Sequence, residues 1–291
     1  MTAIERAAGL SCWKGAVNPE PISGGITNAN FVVRDVGTSY FVRIGEDIPE
    51  HGVMRFHELA ASRAAHAAGA SPAVIHHEPG ALVLAYIEGR TLTPEAVRDA
   101  KTLRSIVSLV ARCHQNMPRH FRGPALVFWV FQVIRDYRNT LIESNSRLLP
   151  QLPAYLEIAE QLEQAVGKIS LVFGHNDLLA GNFIDDGDRL WLVDWDYAGF
   201  NSPLFDLGGL ASNNELTADQ EEWLLETYFQ ATVDNHLRRR YAAMKCASLL
   251  RESMWSMVSE VHSRIDFDYV SYTTDNLARF HAAWDAFQSR F

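Results

Sequence analysis

Cysteine is scarce in this chain. Only three residues of 291 are cysteine (Cys12, Cys113 and Cys246), and they lie far apart without CxxC spacing. That count excludes a disulfide scaffold and a thiolate zinc site, and it fits reduced thiols in a cytoplasm. Positive charge is in deficit: 26 Lys and Arg against 35 Asp and Glu give a net charge of −9. A field of that sign repels a phosphate backbone, so no nucleic-acid partner is expected, although a local cationic pocket for a nucleotide stays compatible with it. Long apolar runs are missing as well. A run such as residues 81–87 is far too short to span a bilayer. The first residues, MTAIERAAGL, lack the basic stretch and apolar core of a secretion signal, so a cytoplasmic protein without a membrane partner is expected. No internal repeat or low-complexity tract is present. With 47% apolar and 21% charged residues, the chain can bury a sizeable core and is not intrinsically disordered.

The texture changes near residue 88. Residues 30–34 (NFVVR) and 40–44 (YFVRI) alternate around a short loop with Gly37, which reads as an antiparallel hairpin. An alanine-rich stretch over 51–69, ending at Gly69, has helical composition, and two short strands follow at 73–76 and 82–87. The first 88 residues therefore read β-β-β-α-β-β. Beyond Gly89 the pattern is mostly helical. One helix starts at Thr93-Pro94-Glu95, with proline in the first turn, and others are expected over 128–143, 153–167, 218–229, 236–263 and 272–287. A β-like island interrupts them: strands at 171–173, 182–184 and 190–193, the last two joined by the turn Asp185-Asp186-Gly187-Asp188. The expected architecture is α+β in two lobes: a small antiparallel β-rich N-lobe over 1–88 and a larger, mostly helical C-lobe over 89–291.

The chemistry concentrates in Gly174-His-Asn-Asp-Leu-Leu-Ala-Gly-Asn182 and Leu190-Trp-Leu-Val-Asp-Trp-Asp196. Kinase-type phosphoryl transfer needs a loop Asp for the acceptor hydroxyl's proton, an Asn five positions on for one metal ion, and a second Asp after a short strand. The spacing His175-x-Asp177-Leu178-x-x-x-Asn182, then Asp194-Trp195-Asp196, supplies that order. Each piece alone is ordinary turn or cap chemistry; the combination is not. Ser23-Gly24-Gly25 can cradle phosphates through backbone amides, or be a plain hairpin turn. Arg43, in an apolar strand, needs a carboxylate partner, and Glu58 in the following helix can provide one and present Arg43 to phosphates. Magnesium prefers oxygen donors, so His175 is read as a loop brace bonded to backbone near Asp194, and Asp206 as a cap or loop brace.

On these residues the chain resembles the choline/ethanolamine kinases, within the aminoglycoside-phosphotransferase-like branch of the protein-kinase-like fold. Gly24-Gly25-Ile26-Thr27-Asn28 is similar to the family's nucleotide loop, and Phe41-Val42-Arg43-Ile44 to its cation-bearing strand. Leu84-Ala85-Tyr86-Ile87 resembles the hinge that receives adenine. Residues 194–206 look like the family's "DFEYAGYN…FD" run, and Trp255 through Tyr272 like its C-terminal aromatic block.

The resemblance implies ATP as phosphoryl donor and magnesium as cofactor, with Asp177 as catalytic base and Asn182 and Asp194 on the metal. Gly24, Gly25, Thr27, Asn28, Arg43, Glu58, Ala85 and Ile87 are then expected at the nucleotide. Aromatic faces assisted by carboxylates recognise ammonium groups, so Asp196, Trp255, Tyr269 and Tyr272 are expected at the acceptor, with Glu252, Asp266 or Asp268 as further acids. The alternative for these aromatics is helix packing. Glu252 stands where the family often has a second tryptophan, which leaves choline, ethanolamine or a related amino-alcohol open. An aminoglycoside, sugar or thiamine acceptor, or a pseudokinase, are the rival readings. The oligomeric state is open, a dimer included.

Overall fold

The computed structural model describes residues 1–22, 28–263 and 265–291. A short helix, α1 (Ala3–Ala8), comes first and was not anticipated from the sequence. Its capping box joins Thr2 and Glu5: the Glu5 amide donates to the Thr2 hydroxyl at 3.3 Å, and the Thr2 amide to the Glu5 carboxylate at 2.7 Å. Then follow β1 (Glu20–Pro21), β2 (Ala29–Asp35), β3 (Thr38–Ile44), α2 (Arg55–Ala67), β4 (Val74–Glu78) and β5 (Ala81–Ala85). The five strands form one antiparallel sheet in the order β1-β2-β3-β5-β4. The β2–β3 turn is Val36-Gly37, both at positive φ (48° and 82°), which matches the right-handed twist of the flanking strands. Phe31, Val33, Val42, Ile44 and Val83 of the sheet pack with Ala7 and Leu10 beneath α1.

Strand β3 buries Val42, Arg43 and Ile44 in succession. Side chains alternate across a strand, so Arg43 leaves the face opposite Val42 and Ile44, toward α2. Helix α2 starts at Arg55, four residues later than its composition predicts, because 49–51 forms a separate 3₁₀ turn. Its alanines Ala61, Ala64 and Ala65 lie in the large core with α4, so α2 ties the sheet to the helical part.

That part begins with β6 (Arg90–Thr91), α3 (Pro94–Arg98) and α4 (Ala100–His120). The single helix expected from residue 93 breaks at Asp99. This residue is extended (φ −62°, ψ 132°) and its carboxylate accepts from the amides of Lys101 and Thr102 at 3.1 and 2.9 Å, a second N-cap. There follow α5 (Val130–Glu143), α6 (Leu152–Val166), β7 (Val172–Gly174), β8 (Phe183–Asp185), β9 (Leu190–Leu192), β10 (Gly199–Asn201), α7 (Pro203–Asn213), α8 (Ala218–Phe229), α9 (Asn235–His262) and α10 (Tyr269–Arg290). β6 joins β8 and β9 in one small sheet, and β10 pairs with β7 in another; neither β6 nor β10 was expected. Helix α9 runs through the centre of the core, touching α5, α6, α7 and α10. Among the described residues no helix is long and apolar enough to cross a membrane.

Candidate active site

The segment between β7 and β8 is fixed from below by one carboxylate. Asp206, buried in the first turn of α7, accepts from the amides of His175 (2.8 Å) and Asn176 (2.7 Å) and from His114 Nε2 (2.8 Å). Burial opposes its charge, but the hydrogen bond and charge of His114 and the loop amide override it and hold Asp206 below the usual carboxylate range. Gly174 makes room: a Cβ there would lie 2.8 Å from Asn176 Oδ1 and 3.2 Å from Asp206 Oδ2. Asn176 sits at φ 65°, kept there by its own side chain, which donates to Tyr197 O (2.9 Å) and accepts from Asn201 Nδ2 (3.0 Å). His175 Nε2 donates to the Val193 carbonyl at 3.0 Å, the backbone next to Asp194, as the sequence predicts.

Asp177, Asn182 and Asp194 converge above this base. Asn182 donates from Nδ2 to the Asp177 carbonyl (2.8 Å) and to its carboxylate (3.4 Å), and the Val193 amide donates to the Asn182 carbonyl at 3.0 Å. Loop and strand end are therefore held together by both main chain and side chain. Asp194, at φ 68°, leaves the strand line and keeps two-fifths of its side chain exposed. A non-glycine residue there is strained, and such strain concentrates at functional sites. Burial, the Glu252 carboxylate, Asp194 and Asp196 push the Asp177 carboxyl up to about 8, against the pull of Arg251. Burial and the Asp196 charge also raise Asp194.

Arg43 enters from the sheet and is 4% exposed. It pairs with Glu58 at 2.5 Å, with Asp194 at 3.4 Å and with Asp196. Burial alone would disfavour the guanidinium charge; Asp196, Glu58 and Asp194 override it, and Arg43 is firmly charged. The expected Arg43–Glu58 pair is thus present, and in the core rather than on the surface. Asn28 donates to Asp196 Oδ2 at 3.0 Å. Arg55, which the sequence reading missed, donates to Glu58 Oε2 (2.6 Å), Asp196 Oδ1 (2.9 Å), Asn28 Oδ1 (2.7 Å) and the Glu46 carbonyl (2.9 Å). A cation in the first turn of a helix opposes the helix dipole, a weak signal that Arg55 is placed for something other than helix stability. Buried Glu58 is pushed up to about 7 despite both arginines, whereas their pull on Asp196 outweighs its burial and lowers it.

Asp196 was expected at the acceptor. The structure buries it against Arg43, Arg55 and Asn28, where its carboxylate is already committed. Trp255, Tyr269 and Tyr272 do come together, as edge-on rings with centroids 6.2 Å (Trp255–Tyr269) and 6.3 Å (Trp255–Tyr272) apart. Trp255 Nε1 donates to Tyr197 Oη at 2.8 Å, and its ring stacks on His51 at 5.0 Å. Trp255 and Tyr269 also line a cavity of about 420 Å³ whose other wall carries Glu46, Asp47 and Glu50. Tyr272 donates to Glu252 Oε1 at 2.9 Å. Ala85 ends β5 with its amide on the Ala73 carbonyl (2.9 Å), and Ile87 follows beyond the strand. Gly24, Gly25 and Thr27 lie outside the described residues.

A cation-bearing sheet over a loop with paired Asp and Asn, and a second Asp on the next hairpin, define a phosphotransferase of the protein-kinase-like class. The sequence profile of choline/ethanolamine kinases matches residues 20–228, and the chain belongs to that family. Its enzymatic class is accordingly a phosphotransferase with an alcohol group as acceptor. The chain is 28% identical over 258 residues to protein LicA of Haemophilus influenzae, spanning 84% of this chain and 75% of that protein. A choline/ethanolamine kinase family protein from Mesorhizobium loti has the same fold with a TM-score of 0.77 at 29% identity, covering 97% of this chain and 93% of that one. LicA in complex with AMP reaches a TM-score of 0.78 at 22% identity, over 98% and 97% of the two chains.

Proposed function

We propose that the protein transfers the γ-phosphoryl group of ATP, with Mg²⁺, to the hydroxyl of choline, ethanolamine or a related amino-alcohol, with Asp177 as base. The observation that carries this reading is the convergence of Asp177, Asn182 and Asp194 beneath a buried, carboxylate-held Arg43. In this scheme residues 1–88 form the nucleotide lobe, with Gly24, Gly25, Thr27 and Asn28 over the phosphates and Ala85 and Ile87 at the adenine. Residues 89–291 carry the catalytic loop and the acceptor pocket, where Trp255, Tyr269 and Tyr272 stand.

The residues present fit magnesium. The ion takes oxygen ligands and commonly binds through one or two carboxylates plus substrate phosphates and water. Asp194 offers a part-exposed carboxylate, and Asn182, whose Nδ2 is turned to Asp177, has its Oδ1 for the same purpose. Among the described residues no three His, Cys, Asp or Glu side chains form a cage of their own, so the other ligands would come from phosphate and water. When bound, the ion neutralises charge on the β- and γ-phosphate oxygens. Arg43 would clamp the phosphates from the sheet side, pre-aimed by Glu58. Asp177 would orient the acceptor hydroxyl and take its proton; a carboxyl held near the working pH is suited to that transfer.

Acceptor-dependent ADP release with Mg·ATP tests the reading across choline, ethanolamine, an aminoglycoside and thiamine. A strong rate with either amino-alcohol is the expected result. Turnover of only the aminoglycoside or thiamine overturns the acceptor assignment, and failure to bind ATP overturns the kinase chemistry.

A further inference from the structure

We propose that Glu252 reads the acceptor's ammonium group through hydrogen bonds, so that an amine bearing N–H groups is preferred over a quaternary one. This rests on the amino-alcohol reading above and narrows it. Glu252 lies on α9 one turn before Trp255, and with Asp177 it lines one small recess. Its carboxylate is held from two sides: Oε1 accepts from Tyr272 Oη at 2.9 Å, and Oε2 from Arg251 Nη1 at 3.0 Å. Arg251 is itself fixed, its guanidinium 4.5 Å from the centre of the Tyr197 ring and 5.4 Å from that of Phe128. The carboxylate is therefore pre-positioned, and its side chain is still 23% exposed. A carboxylate has about four lone-pair sites, so about two are left for incoming donors.

The Trp255 ring next to Glu252 offers no open face on the Glu252 side. A quaternary ammonium has no N–H and is held by open ring faces. Trp255 is only 4% exposed. His51 stacks against it with an interplanar angle of 27°, Tyr269 and Tyr272 meet it edge-on, and its N–H is taken by Tyr197. An acceptor whose hydroxyl reaches Asp177 thus meets a carboxylate at its other end. Each methyl group on nitrogen replaces one N–H donor.

The test is kcat/KM for ethanolamine, its N-methyl and N,N-dimethyl derivatives, and choline, on the wild type and on Glu252→Gln. Hydrogen bonds to charged groups imply a fall of roughly tenfold or more from ethanolamine to choline in the wild type. The glutamine variant should lose most on ethanolamine and least on choline, narrowing that ratio. Equal or better use of choline by the wild type overturns the inference while leaving the amino-alcohol reading in place, and the methyl series needs no variant to fold. An equal loss on all four acceptors in Glu252→Gln also overturns it. Turnover of none of the four, with Mg·ATP still bound, removes the amino-alcohol reading and this inference together.

Discussion

Replacing Asp206 with alanine should destabilise the protein and cripple turnover, although Asp206 touches neither substrate nor metal in the scheme above. Its carboxylate satisfies three buried donors, the His175 and Asn176 amides and His114 Nε2, all within 2.7–2.8 Å. Alanine leaves them without an acceptor. Each stranded buried donor costs about 1–3 kcal/mol, and the relief of desolvating Asp206 offsets part of the sum. A net loss of about 3–5 kcal/mol follows, as for other buried charged groups that lose a partner. The loop then has less to hold Asn176 at φ 65°, and relaxation carries Asp177 with it. A displacement of about 1 Å is enough to lower kcat roughly 100-fold. Urea unfolding and steady-state kinetics measure the two effects separately. The pH dependence adds a sign. Because Asp206 is held below its unfolded value near 3.9, it stabilises the fold above about pH 4, and that contribution is lost as pH falls through the folded value. The alanine variant should therefore lose part of the acid limb of the stability curve. A destabilisation under about 1 kcal/mol, or kcat within about threefold of wild type, would refute the argument.

Asp177→Ala should abolish turnover with nucleotide affinity nearly intact; retention of more than roughly a tenth of kcat would remove Asp177 from the role of base. Arg55→Met should weaken Mg·ATP binding roughly tenfold by calorimetry, since Asn28, Glu58 and Asp196 lose a shared guanidinium, and Arg55→Lys should not restore it because an ammonium cannot span those acceptors. Unchanged affinity in both variants would confine Arg55 to structure. His51, buried between Tyr137, Ser259 and Trp255, is pushed down to about 3 by burial and by Arg251. It must stay neutral in the fold, so its contribution is complete above about pH 6.5 and is lost as pH falls toward 3, amounting to about 2 kcal/mol by pH 5. The stability difference between pH 7.5 and pH 5, read from urea midpoints, should shrink by about that amount in His51→Gln; an unchanged difference would contradict the assignment.

The convergence of Asp177, Asn182 and Asp194 was legible because its spacing is imposed by short covalent distance. Asp177 and Asn182 share one loop, and Asp194 follows on the next hairpin, so their meeting needs no long-range knowledge. Arg43 and Glu58 were legible for another reason: a cation in an apolar strand demands a partner, and the next helix offers one. Arg55 and Arg251 stayed hidden because nothing local distinguishes them from surface arginines; only the packing of α2 and α9 brings them inside. The break at Asp99 was missed because an aspartate within a helical pattern becomes a cap only when the chain turns there. Strands β6 and β10 are two and three residues long and derive from pairing, not from composition.

The commitment of Asp196 to two arginines was hidden for the same reason and exposes how the site divides its carboxyl groups. Asp194 and Asp196 are two apart in sequence and look interchangeable. Two guanidinium groups, Arg43 and Arg55, face three carboxyl groups, Glu58, Asp194 and Asp196, so one carboxyl is left without a close guanidinium of its own. Glu58 and Asp196 each bind both arginines and are buried. Among the described residues Asp194 makes one long ion pair, at 3.4 Å to Arg43, and stays two-fifths exposed. Asp194 is therefore the least committed carboxyl of the three, and the φ of 68° at that residue turns it out of the strand line. In the proposed function this division separates two tasks that one carboxylate could not perform together. Asp196 keeps Arg43 aimed at phosphate, and Asp194 keeps an uncommitted oxygen for the metal, so neutralising Asp196 should disturb phosphate affinity through Arg43 and not through the ion.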